Sequence, residues 1–391
     1  MKKSLLALAI IAASTTATAA TVYDKDGTSL AVGGRVQSVV YNGNGGAAVQ
    51  GENGIADHDA GLVNSARLNI EGNTKINDYV SAFAFSEWDM ADGNKTANGD
   101  NISTREQYVG ADLGDFGKLL VGKTYDAANE VLAATDVFED FGARLQGSIN
   151  GDRRTGMFRY VYDNNGFFGS ASYETAADET TVQGEDYDVE GGFALSAGYT
   201  IDDVVFGPLS FKAGYSYVKG QDDFTKTIKV GDDGWSLGSF DTFKIISASI
   251  SWGSTDNGLY IGALYNTQRM KQRSNGFTFD DGVNEPVYGV SNSSFATKVK
   301  GYEFVVGYTF ENGIGAFTGY NLSDVKLKEG SFNKDSAIYR RVPVYVNYAI
   351  NDNFNIWGEA EFDANSTTEK DHQLQGGETG TMLSAGARYT F

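Results

Sequence analysis

The sequence predicts an all-β fold: a transmembrane antiparallel β-barrel of about sixteen strands. Three observations predict it. Apolar and polar residues alternate along successive short runs, tight turns alternate with long polar connections, and no stretch beyond the N-terminus is apolar long enough to cross a bilayer as a helix.

The chain opens on a segment of a different kind. Lys2 and Lys3 precede the apolar run LLALAII (5–11), and small residues follow to an Ala17-Thr18-Ala19 cleavage pattern. This is the layout of a secretory signal peptide, whose apolar core is too short to span a membrane. The expected division is a signal peptide, 1–19, and a barrel, 20–391. Removing Lys2 and Lys3 leaves 29 basic against 51 acidic side chains, a surplus of 22 negative charges that repels nucleic acid. The chain has no cysteine, which excludes disulfides, thiolate metal centres and thiol catalysis. With 22 Tyr and 24 Phe it is too aromatic for disorder.

The strands come next. SARLNIEGNTK (65–75) sets Ala66, Leu68, Ile70 and Gly72 on one face and Arg67, Asn69, Glu71 and Asn73 on the other, the period of a strand with one wet face. GPLSFKAGYSY (207–217), GYEFVVGYTF (301–310), VPVYVNYAIND (342–352), FNIWGEAEF (354–362) and the terminal MLSAGARYTF repeat the design. Their connections differ in length at the two ends. INDY (76–79), GDFG (114–117), DNNG (163–166), STDNG (254–258), ENG (311–313) and NDN (351–353) are tight, whereas 44–63, 91–101, 125–152, 221–239 and 270–299 are long and polar. Such alternation describes hairpins with short turns on one side of a membrane and elaborated loops on the other.

Lipid accounts for the apolar faces. Tyr79, Tyr199, Tyr308, Phe310, Tyr348 and Phe354 fall at strand ends, as interfacial girdles do. A closed barrel satisfies every backbone polar group in hydrocarbon, and at sixteen strands its interior is too wide for side chains to fill. The interior therefore holds water, and the barrel is a pore.

Charge is gathered at one place. The third long connection, 125–152, contains DVFEDFG (136–142), with Asp136, Glu139 and Asp140 among two phenylalanines. Folded outward, these acids are solvated; folded inward, they narrow the lumen and set a field across it. Arg35, Arg67 and Arg105 stand on wet faces of early strands, and Arg153, Arg154 and Arg159 follow the loop. Alternation with Phe158 and Tyr160 towards lipid puts Arg153 and Arg159 in the lumen.

Other motifs carry less. DKDG (24–27) reads as a turn, because Thr28 occupies the third ligand position of a calcium loop and no glutamate closes it. GEDYDVE (184–190) reads as a solvated rim, and Glu106 falls on the apolar register of its strand. His58 and His372 both lie in predicted loops, so no histidine is held for catalysis and an enzyme is not expected. No cofactor or metal site is expected.

The sequence resembles the general diffusion porins of Gram-negative outer membranes. The resemblance lies in VYDKDG followed by a glycine-rich first strand, ARLNIEGNTKIND with Glu87 and Trp88 downstream, GADLGDFGKLLVGKTYD, and the terminal ARYTF, and it covers essentially the whole mature chain. It implies a homotrimer of sixteen-stranded barrels in outer-membrane lipid and lipopolysaccharide, passing small hydrophilic solutes and ions. It also implies a third loop folded into the lumen, with the family's two acids on Asp136 and Asp140, followed by Phe141 and Gly142. The basic cluster of the family falls on Arg67 and Arg105, with Arg35 lower on the wall and the third arginine at Arg153 or Arg154. Glu139 is an added acid, and Lys123 replaces an arginine of the family. The negative surplus predicts a preference for cations. A sugar-specific porin would instead need an aromatic slide along the lumen, whereas most aromatics here fall on the lipid register; an adhesin or structural barrel would act through its long loops.

Overall fold

The computed structural model describes residues 19–42, 60–91, 102–141, 153–182, 185–221, 225–230, 233–238, 240–272, 277–280, 287–289, 295–329, 332–365 and 380–391. The expected signal peptide, apart from Ala19, lies outside the described residues, as do Gly142, His58 and His372.

Sixteen antiparallel strands form the wall. In chain order they are Thr28–Tyr41, Gly61–Lys75, Ser81–Ala91, Ile102–Asp112, Lys118–Thr124, Arg154–Asn164, Phe167–Glu174 and Glu185–Val204. Gly207–Gly220, Phe240–Gly253, Gly258–Gln272, Phe295–Thr309, Ile314–Glu329, Phe332–Asn351, Phe354–Asp363 and Met382–Thr390 complete the set. Each pairs with its neighbour in sequence, and the last closes on the first through Arg35↔Thr390 to Tyr41↔Ser384. A short arm, Ala20–Lys25, pairs with the part of the first strand that the last leaves free. Closure removes the open edges that a sheet cannot expose to hydrocarbon.

The turns follow from residues that accept left-handed backbone. Asp26 and Gly27 have φ of 54° and 76°, and Asn165 and Gly166 of 53° and 81°, the geometry of two-residue hairpins that match strand twist. Elsewhere a side chain closes the turn: Asn351 Oδ1 accepts from the amides of Asn353 and Phe354 at 2.9 and 2.8 Å. One tight connection is not marked in the sequence, where Val205, a β-branched residue, adopts φ 59°.

Outward faces are apolar. Val36, Val109, Leu195, Phe211 and Val346 are exposed, as a lipid-facing surface must be. Tyr199, Tyr308, Phe310 and Tyr348 stand exposed at strand ends.

Two expectations need correction. The segment GEDYDVE is not a free rim: Glu185–Val204 runs as strand, pairing back on Ala177–Val182. Glu106 does not face lipid. Its strand bulges at Arg105, since Glu87 pairs with Glu106 while Trp88 pairs with Thr104, and the extra residue turns Arg105 and Glu106 both inward. Among the described residues, exposed aromatics outnumber buried ones, as the lipid register predicts, while Tyr41, Phe85, Tyr108, Tyr260, Phe317, Tyr345 and Trp357 are buried on inward faces.

Candidate functional site

The third loop starts at a capped turn. Asp126 accepts from the amide of Ala128 at 2.9 Å and from Ser216 Oγ at 2.6 Å, opening a 3-10 helix over Ala127–Ala134. This helix lies against the inside of the wall, which the small residues on both surfaces allow. Ala127 and Ala128 meet Ala194, Val131 and Leu132 meet Leu264, and a side chain at Gly214 or Gly262 would strike the helix. Polar wall residues hold its backbone: Ser172 Oγ accepts from the amide of Ala127 at 2.9 Å, and Tyr260 donates to the Ala134 carbonyl at 2.8 Å.

Arginines after the loop secure its start. Arg154 lies buried between Glu174, at 2.5 Å, and Asp126, at 3.4 Å. Arg159 reaches Glu130 at 2.8 Å and Ser170 at 3.1 Å. Alternation alone puts Arg153 inward and Arg154 outward. An extra residue around Gly156, whose φ is 75°, re-phases the strand and brings Arg154 inside. Arg153 lies over the Tyr125 ring, 4.3 Å from its centroid, with Glu106 at 3.7 Å.

Past Thr135, which donates to Glu303, the tip crosses to the far wall. Val137, Phe138 and Phe141 pack against Tyr41, Tyr260, Val305, Phe317, Tyr345 and Trp357. Glu359 accepts the amides of Glu139, Asp140 and Phe141 at 2.9, 2.8 and 2.8 Å. Three successive amides converging on one carboxylate make an anion-binding nest. Glu139 pairs with Arg388, which also donates to Gln37 and lies over the Trp357 ring. Asp140 accepts from Tyr41, Trp357 and Ser384.

Asp136 is different. It is exposed and makes no hydrogen bond or ion pair among the described residues. The surrounding protein strips part of its hydration and Glu139 adds like charge, so its carboxyl is pushed above the ordinary aspartate range, partly offset by Arg153.

The bases line the stretch of wall that the loop leaves bare. Arg67 pairs with Asp89 at 2.8 Å, and Arg105 holds Glu87 and Asp89 at 2.7 and 2.8 Å. Lys123 donates to the Thr104 carbonyl at 2.7 Å. Arg35 stands opposite Arg67 in the strand register, without an ion-pair partner among the described residues. The eight candidates therefore separate. Arg35, Arg67 and Arg105 form one group, Arg153 stands nearby, Arg154 anchors the loop, and Asp136, Glu139 and Asp140 lie on the loop itself. Glu87, Asp89, Glu359, Arg388, Trp357 and Ser384 were not foreseen as members. Arg388 was visible on a wet face, but nothing local joins it to the loop.

The loop thus lies inside the barrel against its wall, and Arg35 and Arg67 stand on the inner face of two adjacent wall strands. A sequence model described as Gram-negative porin matches residues 5–368. Outer membrane porin PhoE of Enterobacter cloacae is 26% identical over 370 residues, covering 90% of this chain and 93% of its own. Outer membrane porin C of Enterobacter cloacae subsp. cloacae is 24% identical over 396 residues, covering 99% and 98%. In fold, Salmonella typhi OmpF in complex with daunomycin superposes with a TM-score of 0.67 at 17% identity, over 95% of this chain and all of the other. Vibrio cholerae OmpT in a trimer form superposes with a TM-score of 0.63 at 16% identity, over 94% of this chain and all of the other. Barrel, in-folded loop and family match agree: the chain belongs to the Gram-negative porins and is a passive diffusion channel of the outer membrane, not an enzyme.

Proposed function

We propose that the channel passes small hydrophilic solutes and ions with a modest preference for cations. The observation that carries this reading is the state of the basic wall. Arg67, Arg105 and Arg153 are each matched by a carboxylate of the same wall, Asp89, Glu87 or Glu106. A wall discharged in this way is a weak anion filter, and the mature chain's surplus of 22 negative charges then sets the sign of the field. Arg35, which has no such partner among the described residues, keeps the preference modest. Screening at physiological salt acts in the same direction, because charges on outer loops reach the constriction only over about 8 Å.

The inward aromatics do not favour a sugar-specific channel, because Tyr41, Phe317, Tyr345 and Trp357 pack beneath the loop instead of forming an open slide. Reversal potentials across a planar bilayer under a KCl gradient test the preference: a cation-selective sign is expected, and an anion-selective sign overturns it.

Assembly and export belong to the same reading. The trimeric form of OmpT supports a homotrimer, set in lipid and lipopolysaccharide. Light scattering of the detergent-extracted protein should give three chains, and a monomer would contradict this. Cleavage after Ala19 should leave Ala20 as the first residue, which intact mass measures directly.

A further inference from the structure

We infer that Asp140 is a positioning residue that fastens the loop tip to the far wall, leaving Asp136 as the loop carboxylate that acts on permeating ions. The inference rests on the reading of this passage as the conducting constriction.

Asp140 turns away from the lumen. Its Oδ1 accepts from the Tyr41 hydroxyl at 2.8 Å, and its Oδ2 from Trp357 Nε1 at 2.9 Å and Ser384 Oγ at 2.6 Å. These donors come from the first, fifteenth and last wall strands, so one carboxylate ties the tip to the seam where the barrel closes. An ionised acceptor makes each bond stronger than a neutral pair would be. Three of its roughly four acceptor sites are thus filled by protein donors, and its charge is spread over their dipoles.

Glu139 is spent as well. Arg388 neutralises it and is itself oriented by Gln37, at 2.9 and 2.8 Å, and by the Trp357 ring, 5.1 Å from its centroid. Trp357 therefore serves both acids: its N–H holds Asp140, and its face carries the cation that holds Glu139. Phe141, fully buried, meets Tyr41 edge-on at 6.2 Å and completes the clamp. Only Asp136 of the three is exposed and free of any bond among the described residues.

The test separates fastening from charge. Folded variants are reconstituted in planar bilayers, and the cation-to-anion permeability ratio and open-channel noise are recorded for each. Asp136→Asn should lower the ratio about twofold with quiet openings. Asp140→Asn should raise the noise severalfold while changing the ratio much less than Asp136→Asn does. Trp357→Phe combined with Ser384→Ala alters no charge, yet should reproduce that noise. The chain has no cysteine, so Asp140→Cys with Ser384→Cys introduces a single thiol pair. Oxidation of the pair should restore quiet openings without a carboxylate at 140, and reduction should bring the noise back. The inference is overturned if the charge-neutral double variant stays quiet, or if Asp140→Asn lowers the ratio as much as Asp136→Asn. A parent protein that conducts nothing would refute the channel reading instead, which keeps the two failures distinct.

Discussion

Arg35 and Arg67 stand directly opposite each other in adjacent antiparallel strands, both facing the lumen. Like charges in that register repel, and only Arg67 has a carboxylate, Asp89, at 2.8 Å. Arg67, Arg388, Arg105 and Glu139 all lie within electrostatic reach of Arg35. Three of these four are cations, so its position is unfavourable for folding.

Replacing that residue should therefore cost nothing. Arg35→Gln is expected to leave stability unchanged or raise it by up to about 1 kcal/mol, while increasing the cation-to-anion permeability ratio. Urea unfolding in lipid vesicles reads the first effect, and reversal potentials read the second.

Arg105 should behave in the opposite way. Its removal takes a close cation from buried Glu87 and one of two arginine partners from Asp89. Arg105→Ala is expected to destabilise by about 1–3 kcal/mol, the cost of removing a charged hydrogen-bond partner from a buried carboxylate. Adding Glu87→Gln should recover part of the loss in the same unfolding assay; no recovery would place the cost in packing instead.

Acid should weaken the cation preference earlier than an ordinary aspartate would allow. Partial loss of hydration to the surrounding protein and the charge of Glu139 raise the Asp136 carboxyl, so it takes up its proton above the usual value near 4. The sign follows from that. The penalty for its charge is present in full above the raised pKa and gone below the unfolded one, so protonation relieves the pore while removing its free acid. Reversal potentials between neutral pH and pH 3 should lose cation bias on this limb, and Asp136→Asn should lack the limb.

Loop placement depends on glycine at one wall position. A Cβ at Gly262 would come within 2.0 Å of the Ala134 carbonyl oxygen at the end of the loop helix. Backbone cannot yield there as a flexible side chain can, so Gly262→Ala should push the helix into the passage. A reduced single-channel conductance is expected; unchanged conductance would mean that the helix is not seated on that wall.

Much of this architecture was legible in the sequence, and the failures have definite causes. Alternation in SARLNIEGNTK and MLSAGARYTF, with turn residues such as Asn165-Gly166, is a local signal, and local geometry obeys it. Single-residue irregularities defeat it: the bulge at Arg105 and the left-handed Gly156 each move the following side chains to the other face. Long-range partners were invisible for another reason. Glu359 and Arg388 are unremarkable on their own strands, and acquire a role only because closure brings them to amides and acids 218 to 249 positions away. The seat of the loop helix was missed because small wet-face residues such as Ser172, Ser196 and Gly214 resemble ordinary strand filler until a second surface covers them.

A wide barrel left open to water beside its folded-in loop is the centre of the account, and single-channel recording of the folded, reconstituted protein tests it most directly. Discrete current steps are predicted, with a conductance that rises in proportion to KCl concentration. Protein verified as a folded barrel in the bilayer that yields no steps at any salt concentration would contradict it.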